Sequence, residues 1–104
     1  MSLGDMHLGQ SNWLEAIRHY EGALPIYRAI GAKLGQANTL IDLGKAYFEA
    51  DKREDGINCV AQAGNLFAQI GSRDWAVRAY RRLVEMLRQV GRTTEADEIE
   101  KQLK

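Results

Sequence analysis

A single cysteine, Cys59, leaves the chain without an internal disulfide or a metal-ligand spacing. A disulfide-stapled secreted fold is not expected, and the cytoplasm is the expected compartment. Neither sign of charge prevails, with fourteen Lys and Arg against fourteen Asp and Glu. No global field therefore draws the chain to nucleic acid or to an anionic membrane, and a charged partner must recognise a local patch. Apolar runs never approach the roughly 18–20 residues of a membrane span. The first residues, Met1-Ser2-Leu3-Gly4-Asp5, lack the basic and apolar regions of a signal peptide. Strand-like alternation is missing, and so is a phosphate loop, because "IGAKLGQAN" has neither the spacing nor a preceding strand. Nothing in the sequence calls for a cofactor or a metal.

What the chain has is helical periodicity. Trp13, Ile17, Tyr20, Leu24, Tyr27 and Ile30 recur every three or four residues, and so do Leu34, Ala37, Leu40, Leu43, Tyr47 and Ala50. The spacing continues through Ile57, Val60, Gly64, Phe67 and Ile70, then Ala76, Tyr80, Leu83, Leu87 and Val90, and last Ala96, Ile99 and Leu103. Breaks are expected at Gly9-Gln10-Ser11-Asn12, Gly31-Ala32-Lys33, Ala50-Asp51-Lys52-Arg53, Gly71-Ser72-Arg73 and Gly91-Arg92-Thr93, each short enough to force antiparallel neighbours. Gly31, Gly71 and Gly91 fit helix stops in the left-handed region, where a Cβ would clash. Gly35 is expected in the first turn of a helix. Pro25, inside "EGALPIYRAIG", is expected to kink its helix or, as the alternative, to break it at Leu24. The aromatic residues Trp13, Tyr20, Tyr27, Tyr47, Phe67, Trp75 and Tyr80 are expected mostly in the core.

The chain also repeats itself. Shifted by 40, Leu3-Gly4 falls on Leu43-Gly44, His7 on Tyr47, Ile17 on Ile57, Ala23 on Ala63, Tyr27 on Phe67 and Ile30-Gly31 on Ile70-Gly71. Leu40, Leu43 and Tyr47 fall in turn on Tyr80, Leu83 and Leu87. Paired helices at a fixed period imply a stack in which each hairpin buries its apolar side on the next. Gly44, on the stripe with Leu40, Leu43 and Tyr47, is then expected where two backbones approach closely.

These residues resemble the tetratricopeptide repeats. Leu43-Gly44-Lys45-Ala46-Tyr47 meets the pattern Leu-Gly-x-x-Tyr, Leu3-Gly4-Asp5-Met6-His7 nearly does, and Ala16 with Tyr20 meets Ala-x-x-x-aromatic. The period looks like the longer variant of kinesin light chains and bacterial signalling proteins. The resemblance implies an all-α, right-handed superhelical stack of antiparallel hairpins, about 2.5–3 repeats in one domain. A partial first repeat would cover residues 1–31, a second residues 32–71, and a third, with a polar capping helix, residues 72–104. Departures are Leu40 and Tyr80 where the motif prefers Trp, Gly56 and Val60 in place of the Ala and aromatic pair, and Glu100 in the last aromatic place.

Catalysis finds little support. His7, His19 and Cys59 are the strong base or nucleophile candidates, and His19 and Cys59 share one place in successive repeats, which is repetition and not a dyad. Glu54-Asp55 and Glu95-Asp97-Glu98 fall at helix starts, where carboxylates favour the helix dipole. No enzyme is expected. By the resemblance, the stripe Asn38, Ile41, Lys45 and Phe48 lines a concave groove for extended peptides. The next unit carries Arg78, Arg81, Arg82, Glu85 and Arg88 there, a local basic patch suited to an acidic protein or peptide. Arg78 and Arg82 match basic places of the family's chaperone clamp, but Asp42 and Asp5 stand where that clamp wants Asn. Two readings stay open. One is a protein–protein interaction module, a fragment of a larger scaffold or signalling protein. The other is a structural spacer or self-associating segment without a peptide ligand. The short leading helix over residues 3–10 adds the expectation of a homodimer through the first repeat.

Overall fold

The computed structural model describes the backbone of residues 3–103 and the side chains of residues 13–103. It contains five helices: α1 (Leu3–Ala29), α2 (Lys33–Glu49), α3 (Arg53–Gln69), α4 (Arg73–Gln89) and α5 (Thr93–Gln102). Each packs on its neighbours in sequence. Extents of 42 × 37 × 19 Å make a slab two helix layers thick, since packed helices lie about 8–10 Å apart. This is the all-α stack of helical hairpins that the periodicity predicts.

The joints share one chemistry. Gly31, Gly71 and Gly91 take φ of +71°, +79° and +84°, and Asp51 takes the same place at +68°. Each is followed by an amide that bonds five residues back, as Ala32 N–H does to the Tyr27 carbonyl at 2.9 Å and Ser72 N–H to the Phe67 carbonyl at 2.9 Å. Gly31 N–H also bonds the Arg28 carbonyl at 3.2 Å, so each turn ties up two of the carbonyls that a helix end leaves free. Helix starts at Lys33, Arg53, Arg73 and Thr93 follow at intervals of twenty residues.

The expected break at Gly9-Gln10-Ser11-Asn12 is absent, and α1 runs unbroken from Leu3 to Ala29. Counting back twenty from Gly31 places the left-handed residue at Ser11. Gly, Asn and Asp visit that region readily and other side chains pay for it, so a helix through Ser11 is the cheaper path. The same helix passes Pro25 without breaking at Leu24. Glu21, whose carbonyl loses its partner there, and Pro25 both line an open cleft between α1 and α3.

One buried cluster joins Ile17, Leu24, Ala37, Leu40, Leu43, Phe67 and Ala76, and a second joins Ile57, Val60, Leu83, Leu87 and Ala96. The α2 and α3 backbones approach closely at Gly44 and Gly56, since a Cβ on Gly44 would lie 2.6 Å from Val60 Cγ2 and 2.9 Å from the Gly56 carbonyl oxygen, and one on Gly56 2.6 Å from the Gly44 carbonyl oxygen. The aromatic residues correct the sequence expectation. Phe67 is fully buried, Tyr20, Tyr27, Tyr47 and Tyr80 are half-buried, and Trp13 and Trp75 are 37% and 49% exposed. Trp75 sits in the first turn of α4, and Trp13 lies partway along the unbroken α1.

Candidate functional site

Helices α2 and α4 both lead their hairpins and stand side by side with a groove between them. On the α2 wall, Asn38, Ile41, Lys45 and Phe48 recur at three, four and three residues, which holds them on one face. Asn38, Ile41 and Lys45 meet Phe67, Trp75, Arg78, Ala79 and Arg82 around a cavity of about 210 Å³. A smaller one of about 70 Å³ continues it, shared by Lys45 and Arg82 and lined further by Phe48, Glu49 and Glu85.

The arginines divide. Arg78 and Arg82 face α2 across this groove. Arg81 instead lines a cavity of about 320 Å³ with Val84, Glu85, Glu100 and Leu103 on the α5 side. Arg88 donates to Asp97 at 3.0 Å and to Glu100, both on α5. One stripe in the sequence is therefore two faces, about a quarter turn apart around α4 at 100° per residue. Glu85 lies between them and borders both cavities. Asp42 and Glu49, the carboxylates that could have neutralised the patch, pair with none of its arginines, and among the described residues Lys45, Arg78, Arg81 and Arg82 make no ion pair.

Trp75 is the groove residue that the sequence reading missed. Its ring stacks on Phe67 with centroids 6.0 Å apart and planes at 24°, and the Arg78 guanidinium lies 4.9 Å from its centroid. The signal was present: Trp75, Arg78, Arg82 and Glu85 recur at three, four and three residues, the same spacing as the α2 wall. Phe48 is half core and half groove, packed on the second cluster with the Arg53 guanidinium 5.4 Å from its ring centroid.

The other chemically notable group is Cys59, in the α1/α3 cleft of about 440 Å³ with Glu21, Tyr47 and Asp55. Burial, and then the carboxylates of Asp55 and Glu21, push its thiol up to about 11. At neutral pH the sulfur is protonated, the opposite of an activated nucleophile. Tyr47 is shifted upward as well, first by burial and then by its 2.8 Å hydrogen bond to Glu21. His19 is exposed while Cys59 is buried. The side chain of His7, and that of Asp5, lie outside the described residues.

Among the described residues no helix is long and apolar enough to cross a membrane. No solved structure matches the chain. It is 26% identical over 91 residues to the 43 kDa receptor-associated protein of the synapse of Tetronarce californica, which takes in 88% of this chain and 22% of that protein. The chain thus spans about a fifth of that relative's length. The tetratricopeptide repeat family matches residues 1–63. That match takes in more than half of the chain and agrees with helices stacked in sequence order, so the chain belongs to the tetratricopeptide-repeat family, whose repeats are protein–protein interaction modules.

Proposed function

We propose that this chain binds an acidic peptide or acidic segment of a partner protein in the α2/α4 groove and is not an enzyme. One observation carries the reading: Lys45, Arg78 and Arg82 line one cavity, and no carboxylate lines it with them. Three cations around a partly desolvated groove attract carboxylates more strongly than the same cations on a flat surface. The protonated, buried Cys59 argues in the same direction, because the strongest nucleophile candidate is chemically quiet. Arg81 and Arg88 take a lesser part, since they face α5.

Fluorescence anisotropy of fluorescein-labelled hexaglutamate tests this. Binding is expected to weaken with added salt, as exposed charges are screened over about 8–10 Å near physiological ionic strength. Arg78→Glu with Arg82→Glu is expected to abolish it while circular dichroism and melting stay unchanged. Binding that survives the double reversal rules the groove out, and a reversal that unfolds the chain would show these arginines to be structural.

A second reading rests on the edge where α1 turns into α2. Ile26, Ile30 and Leu34 are 62%, 70% and 51% exposed there, an apolar strip of the kind that finds a partner. Self-association through this first hairpin would give a concentration-dependent mass in light scattering that Ile26→Lys with Ile30→Lys removes. A monomer at high micromolar concentration discards it.

A further inference from the structure

The groove is not uniform along its length, and its chemistry changes in a fixed order. At the end nearest the starts of α2 and α4, the 210 Å³ cavity has apolar walls from Ile41, Phe67 and Trp75 and cations at Lys45 and Arg82. Toward the ends of the same helices, the 70 Å³ cavity keeps Lys45 and Arg82 but adds the carboxylates of Glu49 and Glu85. Arg78 is partly committed, because its guanidinium lies 4.9 Å from the Trp75 ring centroid and braces that indole against Phe67. Lys45 and Arg82 border both cavities and so mark their junction, while Arg78 lines the first alone, beside Trp75.

Resting on the groove reading above, we propose that the site recognises a two-part feature, an apolar side chain inserted beside Trp75 with a carboxylate one or two residues away over Lys45 and Arg82. An extended peptide advances about 3.3–3.6 Å per residue. Two neighbouring side chains therefore suffice to span an apolar pocket and the cations at its rim. Glu49 and Glu85 reject a carboxylate placed farther along, so a uniformly acidic run is a poorer ligand than one carboxylate next to an apolar residue. Trp75 is the specificity-determining residue for the apolar part, and Lys45 with Arg82 for the anion.

The test uses fluorescein-labelled decapeptides of Gly and Ser carrying one Leu and, two positions on, one Asp, against versions with Leu→Ser or Asp→Asn. Titrations follow anisotropy, and Trp75 emission in a Trp13→Phe background. The Leu/Asp peptide is expected to bind about tenfold or more tightly than either control and to shift the Trp75 emission. In Trp75→Ala the Leu and Ser peptides are expected to bind alike, while Trp75→Phe retains the discrimination. In Lys45→Gln with Arg82→Gln the Asp and Asn peptides are expected to bind alike. If wild type binds the Leu and Ser peptides equally but still prefers Asp to Asn, the apolar part falls and the acidic-groove reading stands. If Asp and Asn peptides bind equally to wild type, both fall.

Discussion

Four residues hold the left-handed conformation at the hairpin joints, and only Asp51 among them carries a side chain. Its Cβ crowds the backbone where glycine would not, and its ion pair to Arg53 is long, at 3.9 Å, and exposed. Asp51→Gly is expected to stabilise the chain by about 0.5–1 kcal/mol in urea denaturation. An unchanged midpoint would mean that the aspartate already relieves its own strain. Gly44 and Gly35 form a second contrast. A Cβ at Gly44 meets a backbone oxygen and the fully buried Val60, whereas at Gly35 it meets the half-buried ring of Tyr27 at 2.6 Å. A ring can turn and a carbonyl in a packed helix cannot. Gly44→Ala is expected to cost about 1–3 kcal/mol from overpacking, and Gly35→Ala to stay near neutral because the gain in helix propensity, about 1 kcal/mol, offsets the displaced ring. Equal midpoints would remove the distinction. The Cys59 thiol supplies a pH signature. Folding raises it from an ordinary value near 9 to about 11, so between those values the unfolded chain releases its proton first. Its contribution to stability is therefore complete below about pH 9 and is lost as pH rises toward 11. Tyr47, also shifted upward, acts in the same sense at still higher pH. In Cys59→Ala the decline of the urea midpoint over this window should flatten.

At the scale of elements, successive hairpins solve one packing problem with different volumes. Leu24 and Leu40, both buried in the first cluster, correspond across the 40-residue shift to Gly64 and Tyr80. At the second place a Cβ on Gly64 would lie 2.8 Å from Tyr80 Cε1, so the ring fills the space that two leucines share in the first. Gly64→Leu alone should overpack by about 1–3 kcal/mol, and Tyr80→Leu alone should leave a void and lose the 2.7 Å hydrogen bond to Asn65. The double variant is expected to cost at least about 1 kcal/mol less than the two singles together, and additive singles would contradict the exchange. The helices, their joints and the role of Gly44 were legible in the sequence because local rules fix them: apolar spacing, a left-handed stop, and a glycine on an apolar stripe. The missing break at residues 9–12 was not legible from turn-forming composition alone. It depends on which residue falls at the twentieth position, and there Ser11 replaces a glycine. The division of the arginines was hidden for another reason. Arg81 and Arg88 correspond to Ile41 and Phe48, but a groove has two walls, and the wall that α4 turns back toward α2 uses Trp75, Arg78 and Arg82 instead.

The whole molecule is a one-dimensional stack, in which each helix draws its stability from its sequence neighbours. The two buried clusters meet through Ile41 and Tyr80, so the centre of the stack is gripped from both sides and its last helix from one. That helix, α5, buries only Ala96 fully, with Ile99 and Leu103 half-buried. Its ion pairs, Arg88 to Asp97 and Glu100 and Arg92 to Glu95, are well exposed and screened by solvent, so they add little to its hold. Packing at Ala96 therefore decides whether α5 stays docked. Ala96→Asp places a carboxylate in the apolar cluster with Val84 and Leu87, where burying a charge is costly. Detachment of α5 should leave α2 and α3 with the contacts that hold them. Amide hydrogen exchange by nuclear magnetic resonance is expected to show α5 and the outer face of α4 losing protection while α2 and α3 keep theirs, so that local opening replaces global unfolding. Uniform loss across all helices would instead show that 104 residues behave as one cooperative unit and that the stack has no weak end.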